Sequence, residues 1–95
     1  MPQRLLQPDE IARRHTDVPG WRLGPKTLSL TVALPSFPDA IDFVNEVARL
    51  AEVADHHPDI DIRHRTVTLV LTTHSAGGLT EADFALANHI DELQD

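Results

Sequence analysis

Two runs of alternating residues constrain the fold of this chain more than any other feature of its sequence. Apolar side chains occupy every second position in both: Leu28, Leu30, Val32 and Leu34 in the first run, and Val67, Leu69 and Leu71 in the second. A period of two places neighbouring side chains on opposite faces of a β-strand. The runs therefore predict strands over residues 26–34 and 66–72, each with one packed face and one wetter face.

Start and stop signals predict the elements before and between these strands. A short helix is expected over Pro8–His15, where Asp9 and Glu10 supply the carboxylates that a helix N-terminus favours. Residues 21–23 form a short partner strand before the turn at residues 24–25. Ser36 with Asp39 begins a long helix in the manner of a capping box, and this helix runs to about Asp55, before Pro58.

The long helix has an apolar stripe that we expect to face the core, with members spaced three and four residues apart: Phe37, Ile41, Val44, Val47 or Ala48, and Ala51. Ile60 and Ile62 begin a further strand, and a hairpin turning near Arg65 joins it to the run at 66–72. Thr80 and Asp83 begin a last helix, which continues towards Leu93.

The predicted order is α-β-β-α-β-β-α, with two strands between successive helices. Such pairs lack the alternation of strand and helix that parallel sheets require, so we expect an α+β fold. Its four-stranded sheet is antiparallel and carries the helices on one face. The 95 residues suit one domain, predicted to span residues 1–95.

Composition excludes several classes of function. The chain has no cysteine, which rules out disulfides, thiolate catalysis and cysteine-based metal sites. A net charge of −7 with only eight Lys and Arg argues against nucleic-acid binding. No apolar stretch approaches the roughly 18 residues of a membrane span, and residues 1–10 lack a signal-peptide core. We therefore expect a cytoplasmic protein without nucleic-acid or membrane partners.

The strongest candidates for chemistry are three histidines. His56 and His57 follow the long helix, and His74 follows the strand at 66–72. A hairpin turning near Arg65 returns residue 74 to the neighbourhood of residue 56. Glu52 lies one helical turn before His56, close enough to orient an imidazole. Because histidine populates both protonation states near neutral pH, the cluster indicates acid–base chemistry.

Each of these features also has a purely structural interpretation. Two histidines at a helix end can simply cap its terminal carbonyls. Asp83 either positions a histidine or only caps the last helix. Gly77 and Gly78 favour a plain turn over a phosphate loop, because no Lys-Ser or Lys-Thr follows them. Trp21 is expected in the core or at an interface.

The spacing of these residues resembles that of the pterin-4a-carbinolamine dehydratases. In that pattern an acidic residue is followed by His-His-Pro, an aromatic residue, a histidine and an aspartate. The matching positions are Glu52, His56, His57, Pro58, His74 and Asp83. One position departs, because His64 stands where the family has Tyr, Trp or Phe.

The resemblance implies dehydration of a 4a-hydroxytetrahydropterin to the quinonoid dihydropterin, by an oligomer that needs no metal or organic cofactor. It makes His56, His57 and His74 the catalytic residues. The implied substrate-binding residues are Glu52, Asp55, Thr72, Thr73, Ser75 and Asp83. The expected assembly is a homodimer or homotetramer, and the expected partner is a small pterin.

Two alternatives belong to other classes of function. Glu52, His56 and His74 form a two-histidine, one-carboxylate set of the kind that holds a metal ion. The fold could also serve as a binding module, since relatives act as dimerisation partners of a transcription factor or as an assembly chaperone. Keeping all three histidines favours catalysis.

Overall fold

Three helices and four strands follow the predicted order along the chain. The computed structural model describes residues 3–94. Its helices are α1 (Pro8–His15), α2 (Phe37–Ala54) and α3 (Glu81–Glu92). Its strands are β1 (Arg22–Leu23), β2 (Leu28–Ala33), β3 (Asp59–Arg63) and β4 (Thr66–Leu71). Within residues 3–94, no helix is both long enough and apolar enough to cross a membrane.

Helices α2 and α3 begin at the residues that the sequence predicts as caps. The Ser36 hydroxyl accepts a hydrogen bond from the Asp39 amide at 3.2 Å, which satisfies one of the free donors at the start of α2. At α3, the Asp83 carboxylate accepts from the Thr80 amide at 2.9 Å, the reciprocal bond of a capping box. Both starts confirm the predicted boundaries.

The four strands form one antiparallel sheet in the order β1-β2-β4-β3, which confirms the predicted α+β class. In the hairpin, Asp59 pairs with Val70 and Arg63 pairs with Thr66. Its turn is made by His64 and Arg65, with His64 in the left-handed region at φ 54°. Extending this register places residues 56 and 57 opposite residues 73 and 72, as the predicted hairpin requires.

One face of the sheet carries the core, and the helices cover it. The fully buried members of β2 and β4 are Leu28, Val67, Leu69 and Leu71. From α3, Phe84 and Ile90 pack into the same cluster. Trp21 is also buried, and its indole N–H donates to the Asp91 carboxylate at 2.8 Å. Of the two places expected for Trp21, the core or an interface, the structure shows the core.

The predicted core stripe of α2 is only partly correct. The residues that α2 buries are Ala40, Phe43, Val47 and Ala51. Of the predicted stripe, Phe37 is 48 % exposed, and Ala48 is also exposed. The apolar residues of α2 cover more than one side of the helix, so spacing alone could not show which row faces inward. Contacts with β4 and α3 select the buried row.

An N-terminal arm, residues 3–7, is tied to the rest of the domain at two points. The Leu6 side chain is buried, and its amide donates to the Leu79 carbonyl at 2.9 Å. The Arg4 guanidinium donates two hydrogen bonds to the Glu10 carboxylate, at 3.0 and 2.8 Å. The arm therefore has an apolar anchor and a charged one.

We expect acid to break the charged anchor. Hydrogen bonding from Arg4 and from the Gln7 amide lowers the pKa of Glu10 from 4.5 to about 2. A carboxylate whose folded pKa is depressed stabilises the contact fully above pH 4.5, and this stabilisation is lost as the pH falls through about 2. An NMR titration of the Glu10 side-chain carbon should therefore have its midpoint near 2. A midpoint near 4.5 would contradict the contact, and Glu10→Gln should remove the titration.

Candidate active site at one end of the sheet

The predicted site residues come from three segments that end or begin at the same end of the sheet. These are the end of α2 with the residues leading into β3, the end of β4 with the loop after it, and the start of α3. The end of α2 sets the first segment. Asp55 adopts a left-handed conformation, φ 51° and ψ 43°, and the His56 amide bonds back to the Ala51 carbonyl at 3.1 Å. This closure ends the helix at Ala54, four residues before Pro58, and turns the two histidines out of it.

Asp83 joins all three segments through a buried carboxylate. It is fully buried, and its Oδ2 accepts from the Thr73 hydroxyl at 2.8 Å and from the Thr80 amide at 2.9 Å. Its Oδ1 lies 2.5 Å from His56 Nε2. A buried carboxylate is expensive unless donors surround it, and here three donors do. Asp83 therefore both caps α3 and positions His56, so the two roles left open by the sequence occur together.

The contact with Asp83 also defines the state of the His56 ring. A carboxylate can only accept, so His56 Nε2 carries the hydrogen of this bond. In the neutral ring Nδ1 is then the acceptor, because the two nitrogens have opposite roles. The His56 side chain is only 14 % exposed, which leaves little freedom to leave this arrangement.

Glu52 contacts a different histidine from the one expected. Its carboxylate bonds to His57 Nε2, whereas the sequence placed it beside His56. The left-handed turn at Asp55 explains the difference, because it ends the helical spacing that would have brought His56 over Glu52. Both members of this pair are largely exposed. The pair can orient the His57 ring without burying it.

His74 lies in a surface cleft of about 280 Å³, which we call the histidine cleft. It begins a 3-10 turn, His74–Ala76, that the sequence did not predict. The cleft is lined by Lys26, Thr27, Thr72, His74, Gly77 and Gly78. The Thr72 hydroxyl donates to the Lys26 carbonyl at 2.7 Å and ties the ends of β4 and β2 together. The cleft lining includes neither His56 nor His57, which reach the same end of the sheet from β3.

The remaining predicted residues have different environments. Asp55 and Ser75 are exposed, whereas Thr73 is buried with its hydroxyl committed to Asp83 and Thr80. Sequence reasoning missed Lys26 and Thr27. The pairing of β2 with β4 could have found them, because it carries the residues before Leu28 to the side of Thr72.

The three residues of the metal-binding alternative do not converge on one point in the structure. Its set was Glu52, His56 and His74, but Glu52 bonds to His57 and His56 bonds to Asp83. Across residues 3–94, no group of three or more His, Asp or Glu side chains is arranged to hold a metal ion.

The fold and the site together define the class of protein to which this chain belongs. It is an α+β domain that carries histidines and a buried aspartate at one end of its antiparallel sheet. A family model described as Pterin 4 alpha carbinolamine dehydratase matches residues 4–93. The chain belongs to this family.

Similar sequences carry the same family name. A protein of Roseiflexus sp. (strain RS-1), named "Putative pterin-4-alpha-carbinolamine dehydratase", is 58 % identical over 88 residues, covering 93 % of this chain and 95 % of the relative. A protein of the same name from Nocardia farcinica is 54 % identical over 93 residues, with 98 % of each chain covered.

Two solved structures have similar folds. A protein described as a transcriptional coactivator/pterin dehydratase from Brucella melitensis superposes with a TM-score of 0.88 at 26 % identity, covering 95 % of this chain and 98 % of the other. A pterin dehydratase-like protein, identified as a RuBisCO assembly factor in the alpha-carboxysome, gives 0.63 at 27 % identity, covering 77 % and 84 %. These neighbours are consistent with the fold predicted from the sequence.

Proposed function

We propose that this chain is a 4a-hydroxytetrahydropterin dehydratase, a hydro-lyase that works by histidine acid–base catalysis. The observation that carries the proposal is the contact between buried Asp83 and His56. A helix cap alone needs no histidine, whereas a general base needs a partner that holds its ring and tautomer. Family membership supplies the substrate class, and the contact supplies the reason to expect chemistry.

The reaction removes a hydroxyl group and a proton from adjacent ring atoms. The C4a–OH bond breaks, the N5–H proton goes to a base, and the electron pair left on N5 forms the C4a=N5 double bond. An acid protonates the departing hydroxyl, so the products are the quinonoid dihydropterin and water. The step transfers protons and passes no electrons to an acceptor, so it needs no redox cofactor.

We assign the base to His56, because Asp83 leaves its Nδ1 as the acceptor. The acid is one of the two exposed histidines, His57 or His74, since the leaving hydroxyl departs as water and needs a proton donor open to solvent. Asp55, Thr72 and Ser75 supply polar contacts for the substrate. Thr73 acts indirectly, because its hydroxyl holds Asp83 in place.

A stopped-flow assay tests the proposal directly. We expect chelator-treated wild-type protein to accelerate loss of a 4a-hydroxytetrahydropterin well above the buffer rate. The exposed turn residue His64 provides a matched variant, and His64→Ala should retain this acceleration. A buffer rate for the wild-type protein would reject the dehydratase and favour the binding module suggested by the coactivator and assembly-factor descriptions of the structural neighbours.

The homodimer or homotetramer and the cytoplasmic location stay predictions from the sequence, as do the single domain over residues 1–95 and the absence of nucleic-acid and membrane partners.

A further inference from the structure

A second cleft lies directly beside the histidine cleft. It has a volume of about 250 Å³, and we call it the leucine groove. Its apolar lining comes from the N-terminal arm, α1 and the loops around β2 and α3: Leu5, Leu6, Pro8, Ile11, Pro25 and Leu79. Among the described residues that line it, Lys26 carries the one charged side chain. Nothing in the proposed reaction uses this groove.

The leucine groove adjoins the histidine cleft. The two share Lys26, Gly77 and Gly78. A Cβ atom built on Gly78 would lie 2.9 Å from Leu5 Cδ1 and 4.0 Å from Lys26 Cγ. Gly78 therefore lets the Leu5 side chain pack directly on the backbone that both clefts share, and a side chain at this position would collide with Leu5.

The N-terminal arm holds one wall of the leucine groove in place. Leu5 is 43 % exposed, yet its neighbours hold it in place, because Leu6 is buried and Arg4 is bonded to Glu10. A leucine held at a surface exposes apolar area that a ligand can cover at little cost in ordering the chain. The arm thus forms an apolar wall of the groove that adjoins the histidine cleft.

The chemistry of the substrate says which of its parts would enter an apolar groove at this place. The reacting carbon C4a is separated from C6 by the single atom N5, so a substituent on C6 leaves the ring beside the reacting bond. The pyrimidine edge carries amide and amino groups, which lose their hydrogen bonds in apolar surroundings. Only the C6 substituent both starts close to the catalytic histidines and tolerates an apolar wall.

We propose that the leucine groove binds the C6 substituent of the reduced pterin, and that it favours bulky, largely apolar substituents over a methyl group. This inference rests on the proposed function, since it assumes that the pterin ring reacts at the end of the sheet where His56 and His57 lie beside the histidine cleft. Leu5 is then a specificity-determining residue, and its contact adds to binding in proportion to the apolar area that the substituent covers.

The test compares two substrates, the 4a-hydroxy forms of a 6-methyl and a 6-phenyl tetrahydropterin. Leu5→Ala should lower kcat/KM for the phenyl substrate about fivefold more than for the methyl substrate, mainly through KM, as expected for an uncovered apolar contact. Leu23→Ala is the matched control, because Leu23 is an exposed leucine outside both clefts. It should leave the ratio of the two kcat/KM values unchanged.

A binding measurement separates the inference from the proposed function. Calorimetry with the unreactive 6-methyl and 6-phenyl 7,8-dihydropterins should show tighter binding of the phenyl compound, and Leu5→Ala should remove most of that preference. Suppose that the wild-type protein dehydrates the methyl substrate, but that Leu5→Ala changes neither the phenyl-to-methyl ratio of kcat/KM nor that of the binding constants. The groove assignment is then wrong, and the dehydratase proposal stands. If the wild-type protein neither turns over nor binds any of these pterins, both proposals fall.

Discussion

Replacing His74 with alanine is expected to slow dehydration by about 10²- to 10⁴-fold, the range for loss of a general acid or base. His57→Ala should have an effect of the same order. Both side chains are exposed, so each variant should melt close to the wild-type temperature. Stopped-flow rates together with thermal melting separate this outcome from that of a helix cap, whose loss costs about 1 kcal/mol of stability and little rate.

His56→Ala should lose both rate and stability. Its removal leaves Asp83 Oδ1 without its histidine donor inside the core, and an unsatisfied buried acceptor costs about 1–3 kcal/mol. The pH profile of its residual rate should also change. Loss of the base should remove the decline in kcat/KM on the acidic side, whereas loss of the acid should remove the decline on the alkaline side.

His64 provides the control for all three histidine variants. It lies in the β3–β4 turn, exposed and away from the Asp83 network. His64→Ala should keep the wild-type rate, and His64→Tyr, which restores the aromatic residue of the family pattern, should change the rate less than any catalytic variant. Full activity in His74→Ala together with loss in His64→Ala would mean that the reacting groups gather around the turn instead.

Asp83→Asn is expected to reduce the rate by about 10²- to 10⁴-fold while changing the shape of the side chain very little, as in serine proteases where the same change imposes the wrong histidine tautomer. The amide oxygen can keep the bonds from Thr73 and Thr80. The amide nitrogen then faces His56 and donates, so His56 Nε2 must accept. The hydrogen moves to Nδ1, and the proposed base loses its acceptor.

The tautomer of His56 gives a direct measurement, because it would not change in Asp83→Asn if Asp83 had only a structural role. The ¹⁵N shifts of the His56 ring should report hydrogen on Nε2 in the wild-type protein and on Nδ1 in Asp83→Asn. Asp91 offers a matched control on the same helix, because it accepts from the Trp21 indole and Asp91→Asn can still accept there. A wild-type rate in Asp83→Asn would reduce Asp83 to a cap of α3.

Much of the fold could be predicted because its signals act between near neighbours in the chain. Alternation of apolar residues predicted β2 and β4, and the caps at Ser36 and Thr80 predicted the starts of α2 and α3. The hairpin register followed from one turn, since pairing propagates residue by residue from it. The inward face of α2 could not be predicted, because its apolar residues allow more than one row to pack.

The candidate site divides in the same way. The sequence by itself determined which residues approach the end of the sheet, because the helix end, the hairpin and the spacing to Asp83 are properties of the chain. Only the tertiary structure decided which residues are in contact. Asp83 bonds to His56, Glu52 bonds to His57, and Lys26 lines the same cleft as His74. These partnerships depend on the left-handed turn at Asp55 and on how α3 packs against the sheet, and such long-range orientations leave no periodic signal in the sequence.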